Sequence, residues 1–234
     1  MAAMHNRWFG AVVLAILLAL AGCGALPASA PPASATPAQV STVVTPGPPP
    51  PNAERNGRAW GPPDAPIQVL KFVDYQCPTC GRYSSEYDQG IVDAFAATGQ
   101  VRYEARLLAF IGRESFDAAM AALCAADQDA FWPMHRSLFL NQSFDGRENA
   151  GVFTRPRLID MAAQLGLDGN AFGACLDAGR HQAQLDQDRA DAVKHGVSRV
   201  PAMVVNGRLY PAARSADDLR RIFAEAAPGV KLEP

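Results

Sequence analysis

Ile67-Gln68-Val69-Leu70-Lys71-Phe72-Val73, followed after Asp74-Tyr75-Gln76 by Cys77-Pro78-Thr79-Cys80, is the stretch in which the fold of this chain is legible. The first seven residues are mostly β-branched, aliphatic or aromatic, and Gly61-Pro62-Pro63-Asp64-Ala65-Pro66 bounds them upstream, so they read as a short buried strand. Beyond the cysteines, Tyr83, Tyr87, Ile91 and Phe95 recur every four residues and make one apolar stripe of a helix ending near Gly99. Val101 to Leu108 reads as a second strand. Strand, Cys-x-x-Cys, helix and strand in that order open a βαβ unit with the cysteine pair at the helix N-terminus.

A helix N-terminus is a place where a thiol changes character. Its unpaired N–H groups and the positive end of the helix dipole favour the thiolate, lowering a cysteine pKa from about 8.5 toward ~4–7. Cys77 sits where that field is strongest. Pro78 suits the first helical turn, where its missing N–H has no intrahelical partner to lose. Cys80 lies one turn further in, close enough to bridge Cys77 and less accessible. Cys77 is therefore the expected attacking or substrate-linked sulfur and Cys80 the resolving one. Half a zinc site has the same spacing but needs two further ligands. His135, His181, His195, Cys124 and Cys175 show no paired ligand spacing, and no metal is expected. His135 reads as a helix packing residue and His195, before Gly196, as a helix C-terminus.

Downstream, roughly Glu114 to His195 contains helical patterns and no convincing strand. They run over Phe116–Ala126, Phe131–Asn141, Arg157–Leu165, Asn170–Ala178 and His181–Lys194. Strand character returns with Val200-Pro201-Ala202-Met203-Val204-Val205, and Asn206-Gly207 is a two-residue hairpin signal leading into Arg208-Leu209-Tyr210. Ser215-Ala216-Asp217-Asp218 resembles a capping box opening a last helix with Leu219, Ile222 and Phe223 on one face. A cis bond before Pro201 would turn the Val200 backbone outward to pair with an extended chain. Nineteen prolines at a cis frequency near ~5% give about one such bond by chance, so Pro201 alone is weak evidence.

The front of the chain has a different physics. Phe9 to Leu20 is a twelve-residue apolar run of the size of a signal-peptide core, spanning about 18 Å at ~1.5 Å per residue against roughly 30 Å for a bilayer core. Leu20-Ala21-Gly22-Cys23 resembles the bacterial lipobox, in which Cys23 becomes the lipidated N-terminus after removal of residues 1–22. Three other readings compete: cleavage after Ala28-Ser29-Ala30, an uncleaved anchor, and a Cys23 that is merely small and apolar. From Gly24 to about Gly57, nine prolines between Pro27 and Pro51 and no charge before Glu54 describe a Pro/Ala-rich linker over 23–57 that packs no core. The bulk of the chain is accordingly expected outside the cytoplasm, in the cell envelope or periplasm. With 49% hydrophobic and 19% charged residues, 234 residues supply one sizeable core. Twenty-one basic against twenty-three acidic residues, a net charge of −2, disfavour nucleic acid as a partner.

Cys124 and Cys175 fall on separate predicted helices, fifty-one positions apart, in a compartment where thiols oxidise. A structural disulfide is the expected state, with two buried thiols or a regulatory redox pair as the competing ones. The odd total of five cysteines then divides into Cys23 for lipid, Cys77 and Cys80 for catalysis, and Cys124 with Cys175 for stability.

Val69-Leu70-Lys71-Phe72 with Cys77-Pro78-Thr79-Cys80, the block Phe131-Trp132-Pro133-Met134-His135, and Val200-Pro201-Ala202-Met203 with Val205-Asn206-Gly207 resemble the DsbA-like thioredoxin-fold oxidoreductases. The resemblance covers about Gly61 to Ala226. It implies an α/β thioredoxin fold, halves at 58–110 and 196–234, with an all-helical domain at 111–195 inserted between them. It also implies disulfide exchange at Cys77 and Cys80 without a cofactor, and a cis-proline at Pro201 beside a substrate-binding Val200. Two departures stand out. The family usually carries a carboxylate six residues before the first cysteine, where this chain has Lys71, a cation that would favour thiolate unless it turns away or pairs with Glu104. Pro78-Thr79 also lacks the histidine of the strongest oxidase. Lys71, Pro78 and Thr79 are thus the redox-tuning candidates, and the expected potential lies at roughly −240 to −120 mV.

The function expected is an extracytoplasmic, membrane-tethered oxidase that donates its disulfide to reduced secreted or envelope proteins and is itself reoxidised by a quinone-linked membrane partner, as the resemblance implies. A reductase or isomerase uses the same site in another direction. A non-catalytic peptide-binding or assembly lipoprotein, whose function would survive Cys77→Ala, is the reading from another class.

Overall fold

The computed structural model describes residues 49–143, 145 and 147–232; the signal-peptide features and Cys23 lie outside them. Ile67–Val73 forms β2, at the centre of a five-stranded sheet. Its neighbours are β3 (Val101–Leu107), parallel to it, and β4 (Ala202–Val205), antiparallel. The edges are β1 (Ala59–Trp60), antiparallel to β3, and β5 (Arg208–Pro211), antiparallel to β4, giving the order β1-β3-β2-β4-β5. Asn206 and Gly207 both take positive φ, 46° and 84°, which the tight β4–β5 hairpin requires and which asparagine and glycine tolerate.

Between β2 and β3 the chain is helical in three pieces. α1 (Pro78–Tyr83) leads through a π-helical turn, Ser84–Asp88, into α2 (Gln89–Phe95). The uninterrupted helix expected there is therefore broken, and the spacing explains it. Side chains repeating strictly every four residues overshoot a 3.6-residue turn, and a wider π turn takes up the excess. Tyr83, Ile91 and Phe95 stay buried as a result, with Tyr87 half-buried.

Between β3 and β4 lie α3 (Arg113–Ala126), α4 (Phe131–Leu140), α5 (Arg155–Gln164), α6 (Gly169–Asp177) and α7 (Gln182–Lys194). Alanine-rich α3 is buried along most of its length, because small side chains let neighbouring helices approach it on several sides. After β5, Ser215 caps α8 (Ala216–Ala226) by accepting the Asp218 N–H at 3.0 Å. The β2–α1–α2–β3 and β4–β5–α8 units build one sheet with helices on both faces. This is a thioredoxin fold with a helical insertion.

The two faces of the sheet are chemically distinct. Val69 and Lys71 point toward α1 and α2, while Phe72 points the other way and packs with Ala192 of α7 and with Ala202 and Val204 of β4. On that second face Asp188 of α7, fully buried, receives Arg58 through both guanidinium nitrogens, the Leu107 N–H at 2.8 Å and Arg106 at 3.2 Å. A carboxylate buried this far from water is tenable because its oxygens are fully engaged. Residues 50–57, assigned to the linker by composition, instead fold back on the domain. Ala53 bridges Trp60, Asn52 donates to the Ala96 carbonyl, and Glu54 pairs with Arg102 at 2.5 Å. Neither this return nor the two-residue β1 has a composition signal, since Asn52, Glu54 and β1 all meet partners more than forty positions away.

Candidate active site

Cys77 is the N-cap of α1 and Cys80 sits in its first turn. The cap geometry places the Cys77 sulfur under the helix start, where Sγ accepts the Cys80 N–H at 3.4 Å. Both thiols are free, Cys77 8% exposed and Cys80 wholly buried, so only Cys77 is open to attack from outside. The hydrogen bond from the Cys80 side chain, joined by the backbone N–H groups of Cys80 and Thr79, outweighs burial and brings Cys77 down to about 6. For Cys80 the balance reverses. Burial and donation to Cys77 push it far above the ordinary thiol range, against a smaller downward pull from Lys71.

The sulfur faces a second backbone group. The Val200–Pro201 peptide bond is cis, and the Val200 carbonyl lies 3.7 Å from Cys77 Sγ, although the two residues are 123 positions apart. Beside them a groove of about 830 Å³ opens, with Thr79 and Pro201 among its walls.

The loop that presents Cys77 is held by Asp74, which no local sequence pattern marks. Its buried carboxylate accepts Gln76 N–H at 2.8 Å and Ser115 Oγ–H at 2.6 Å on one oxygen, and the N–H groups of Phe110 and Ile111 on the other. Its carbonyl accepts the Cys77 N–H. Two residues on, Gln76 binds Ser115 and the Asn149 backbone, so the loop before the cysteines is tied to the helical insertion. Next to it, Tyr75 OH and His135 Nδ1 are 2.7 Å apart among Phe131, Trp132 and Phe139, and burial lowers the His135 pKa well below the ordinary value. His135 is a neutral packing residue, and His195 ends α7.

A family model described as Thioredoxin matches residues 53–225. The chain belongs to the thioredoxin family. Within that family it is similar to disulfide bond formation protein D of Bacillus subtilis, at 26% identity over 173 residues covering 72% of this chain and 76% of that protein. The crystal structure of oxidised BdbD from Bacillus subtilis matches with a TM-score of 0.66 at 25% identity, over 74% of this chain and 94% of that one. A Na(+)/H(+) antiporter, NhaA 1 of Salinispora arenicola, is 30% identical over 176 residues. There the match takes in 74% of this chain, which spans about a quarter of that relative's length, 25%. The folded domain is similar to those of the disulfide bond formation proteins.

Lys71 stands where DsbA-like members of the thioredoxin family usually carry a carboxylate, and it turns inward. Its ammonium is buried, lies 3.9 Å over the Tyr83 ring and pairs with Asp88, the last residue of the π turn. Pairing with Glu104 does not occur, and the register shows why. Lys71 is level with Ala105, and Glu104 with Leu70, so Glu104 projects to the opposite face, where it meets Arg58 at 3.2 Å and Arg106 at 3.3 Å. Burial lowers the Lys71 pKa, and Asp88 and Cys80 oppose the shift. No sequence signal marked Asp88, because an unbroken helix gives no reason to aim it at β2.

Away from this site, Cys124 and Cys175 are joined across α3 and α6, with Cα atoms 5.8 Å apart. Among the described residues they form with His181 a group whose ligand-type atoms lie within 4.8 Å of one another. Both sulfurs are already spent in the disulfide, whereas a metal takes the thiolate.

Proposed function

We propose that this chain is an extracytoplasmic disulfide donor in which Cys77 and Cys80 are the catalytic pair. The observation that carries the reading is the Cys77 sulfur capped by the Cys80 N–H at 3.4 Å, with the thiol brought down to about 6. A stabilised thiolate is a good leaving group, and it favours the reduced form of the enzyme, so the disulfide form oxidises others. The reaction starts from the Cys77–Cys80 disulfide. A client thiolate attacks Cys77 Sγ, the S–S bond breaks, and Cys80 leaves and takes up a proton. A second client thiolate then attacks the client sulfur of the mixed disulfide and expels Cys77 as its thiolate. The client gains a disulfide, and the enzyme is left with two reduced cysteines.

In this scheme Val200 and cis-Pro201 supply the backbone against which an extended client segment lies, and Thr79 forms part of the wall beside it. Lys71 compensates charge developing on buried Cys80 as it leaves. Pro78 sets the helix start. Reoxidation by a quinone-linked membrane partner and anchoring through Cys23 complete the proposal. The Cys124–Cys175 disulfide supports the oxidising setting. Among the described residues no helix is long and apolar enough to cross a membrane.

Equilibration of the chain with glutathione buffers tests the direction. The expected potential is roughly −240 to −120 mV, and a value at or below about −270 mV, that of thioredoxin, would make the chain a reductant instead. Offered clients that already carry a disulfide, the Cys80→Ala variant should accumulate Cys77–client mixed disulfides, because the Cys77 thiolate attacks the client disulfide, expels one client thiolate, and no Cys80 remains to resolve the product. If neither turnover nor a trapped species is seen, the enzymatic reading falls.

A further inference from the structure

The groove beside Cys77 and Pro201 has a sign. Four arginines line it, Arg82, Arg199, Arg214 and Arg221, against two carboxylates, Glu86 and Asp218. The chain as a whole carries −2, so the groove is a cationic patch on a weakly anionic protein. Asp218 is already engaged: it contacts Arg221 and accepts the Arg214 N–H at 3.0 Å. Arg82 and Arg199 are exposed and enter none of the ion pairs formed among the described residues.

Their positions bracket the reacting sulfur. Arg199 immediately precedes Val200, whose carbonyl is 3.7 Å from Cys77 Sγ. Arg82 lies five residues beyond Cys77 in α1, about 7.5 Å along a helix axis at ~1.5 Å per residue. An extended client segment advances ~3.3 Å per residue, so side chains within about three residues of its cysteine come level with these guanidinium groups. The long arginine stems extend that reach further.

We propose that this groove selects client segments carrying carboxylates next to the reacting cysteine. The proposal rests on the oxidoreductase reading above and names the substrate class for that site. Cationic groups flanking a nucleophilic sulfur act at encounter, raising the local concentration of an acidic segment, and they act in the mixed disulfide by pairing with it. Exposed pairs of this kind contribute factors of about 2–5 each, and guanidinium groups add planar two-point recognition of carboxylates. Clients with lysine or arginine in the same positions meet like charge and are disfavoured.

The test uses the full chain with its Cys77–Cys80 disulfide formed, and three synthetic dithiol peptides identical except for flanking Glu, Gln or Lys residues. Each turnover oxidises one peptide dithiol to a disulfide and reduces Cys77–Cys80. The expected order of second-order rate constants is Glu above Gln above Lys, with about a tenfold spread between the extremes at low salt. That spread should collapse near 1 M salt, where the screening length is ~3 Å. In Arg82→Gln/Arg199→Gln the Glu-to-Lys ratio should fall toward one, while Arg155→Gln, on the insertion, keeps the full ratio. Equal rates for the three peptides, a reversed order, or a preference that survives the double substitution overturns the proposal. Reaction of the same oxidised chain with dithiothreitol, which has no charge, separates the two levels. If it is reduced but shows no charge preference, only the specificity proposal fails; if it is not reduced, the oxidoreductase reading fails as well.

Discussion

At the scale of single residues the chemistry turns on how two sulfurs three positions apart come to differ. Cys77 caps a helix and receives donors; Cys80, one turn inward, receives burial. With the Cys77 folded-state pKa near 6, below the ordinary cysteine value of about 8.5, its thiolate contributes stability to the reduced protein above the ordinary value. That contribution is lost as pH falls through about 6. Alkylation of the reduced chain should accordingly be half-maximal near pH 6, and a midpoint at the ordinary cysteine value would refute the capped geometry. In Cys80→Ala the largest of the lowering causes is gone, so the midpoint should move upward. Lys71 belongs to the same scale. Asp88→Asn leaves a buried ammonium without its counter-ion, an error costing about 3–5 kcal/mol in known cases. The paired change Lys71→Met/Asp88→Leu should restore most of that stability yet slow the release of Cys80 from the attacked disulfide. Denaturant midpoints and stopped-flow rates read the two effects separately, and equal stability of the single and paired variants would show that the pair is unimportant.

At the scale of elements, α7 of the helical insertion is fastened to one face of the sheet both by the polar groups around Asp188 and by the packing of Ala192 with Phe72. Arg58, between the residues that fold back and β1, reaches Asp188 on α7, and the Leu107 N–H of β3 joins them. Asp188→Asn should therefore cost about 3–5 kcal/mol, because Arg58 is left charged in a buried setting. Hydrogen exchange should show the protection lost first in α7 and at Leu107. A loss confined to α3 and α4 would place the fastening elsewhere. The Ala-rich α3, the Asn206-Gly207 hairpin and the Ser215 cap were readable in advance, as each depends on neighbours within four residues. The π turn was not. Nothing in Ser84–Asp88 forbids an α-helix, and the widening is decided by where Tyr83 and Ile91 must pack and by Asp88 meeting Lys71.

At the scale of the whole molecule, the two disulfide chemistries are kept apart. Cys124–Cys175 closes a loop of fifty-one positions, worth about 4 kcal/mol in the chain-entropy account. Cys124→Ala/Cys175→Ala should lower stability by an amount of that order while leaving disulfide exchange at Cys77 intact. If exchange were abolished in a variant still folded by circular dichroism, the second pair would have a catalytic share. The insertion also contributes Ser115 and Asn149 to the hold on Asp74 and Gln76, so its loosening should be felt at the Cys77 loop before the sheet opens.

Local signals were written in adjacent residues: an apolar strand, a cysteine pair with proline at a helix start, a glycine hairpin, a serine cap and a returning strand with Pro201. Their order was enough for a βαβ opening and for the two sulfurs, since each signal is set by residues adjacent in the chain, while the thioredoxin fold was implied by the family resemblance those residues carry. Tertiary structure alone decided which groups answer one another. It put the Val200 carbonyl against Cys77 across 123 positions, gave Lys71 to Asp88 and Glu104 to Arg58, brought residues 50–57 back onto the domain, and gathered Arg82 with Arg199 around one groove. The physical reason is the alternation of side chains across a strand together with the winding of a helix. Both fix which face a residue presents, and only the packed sheet decides what lies opposite that face.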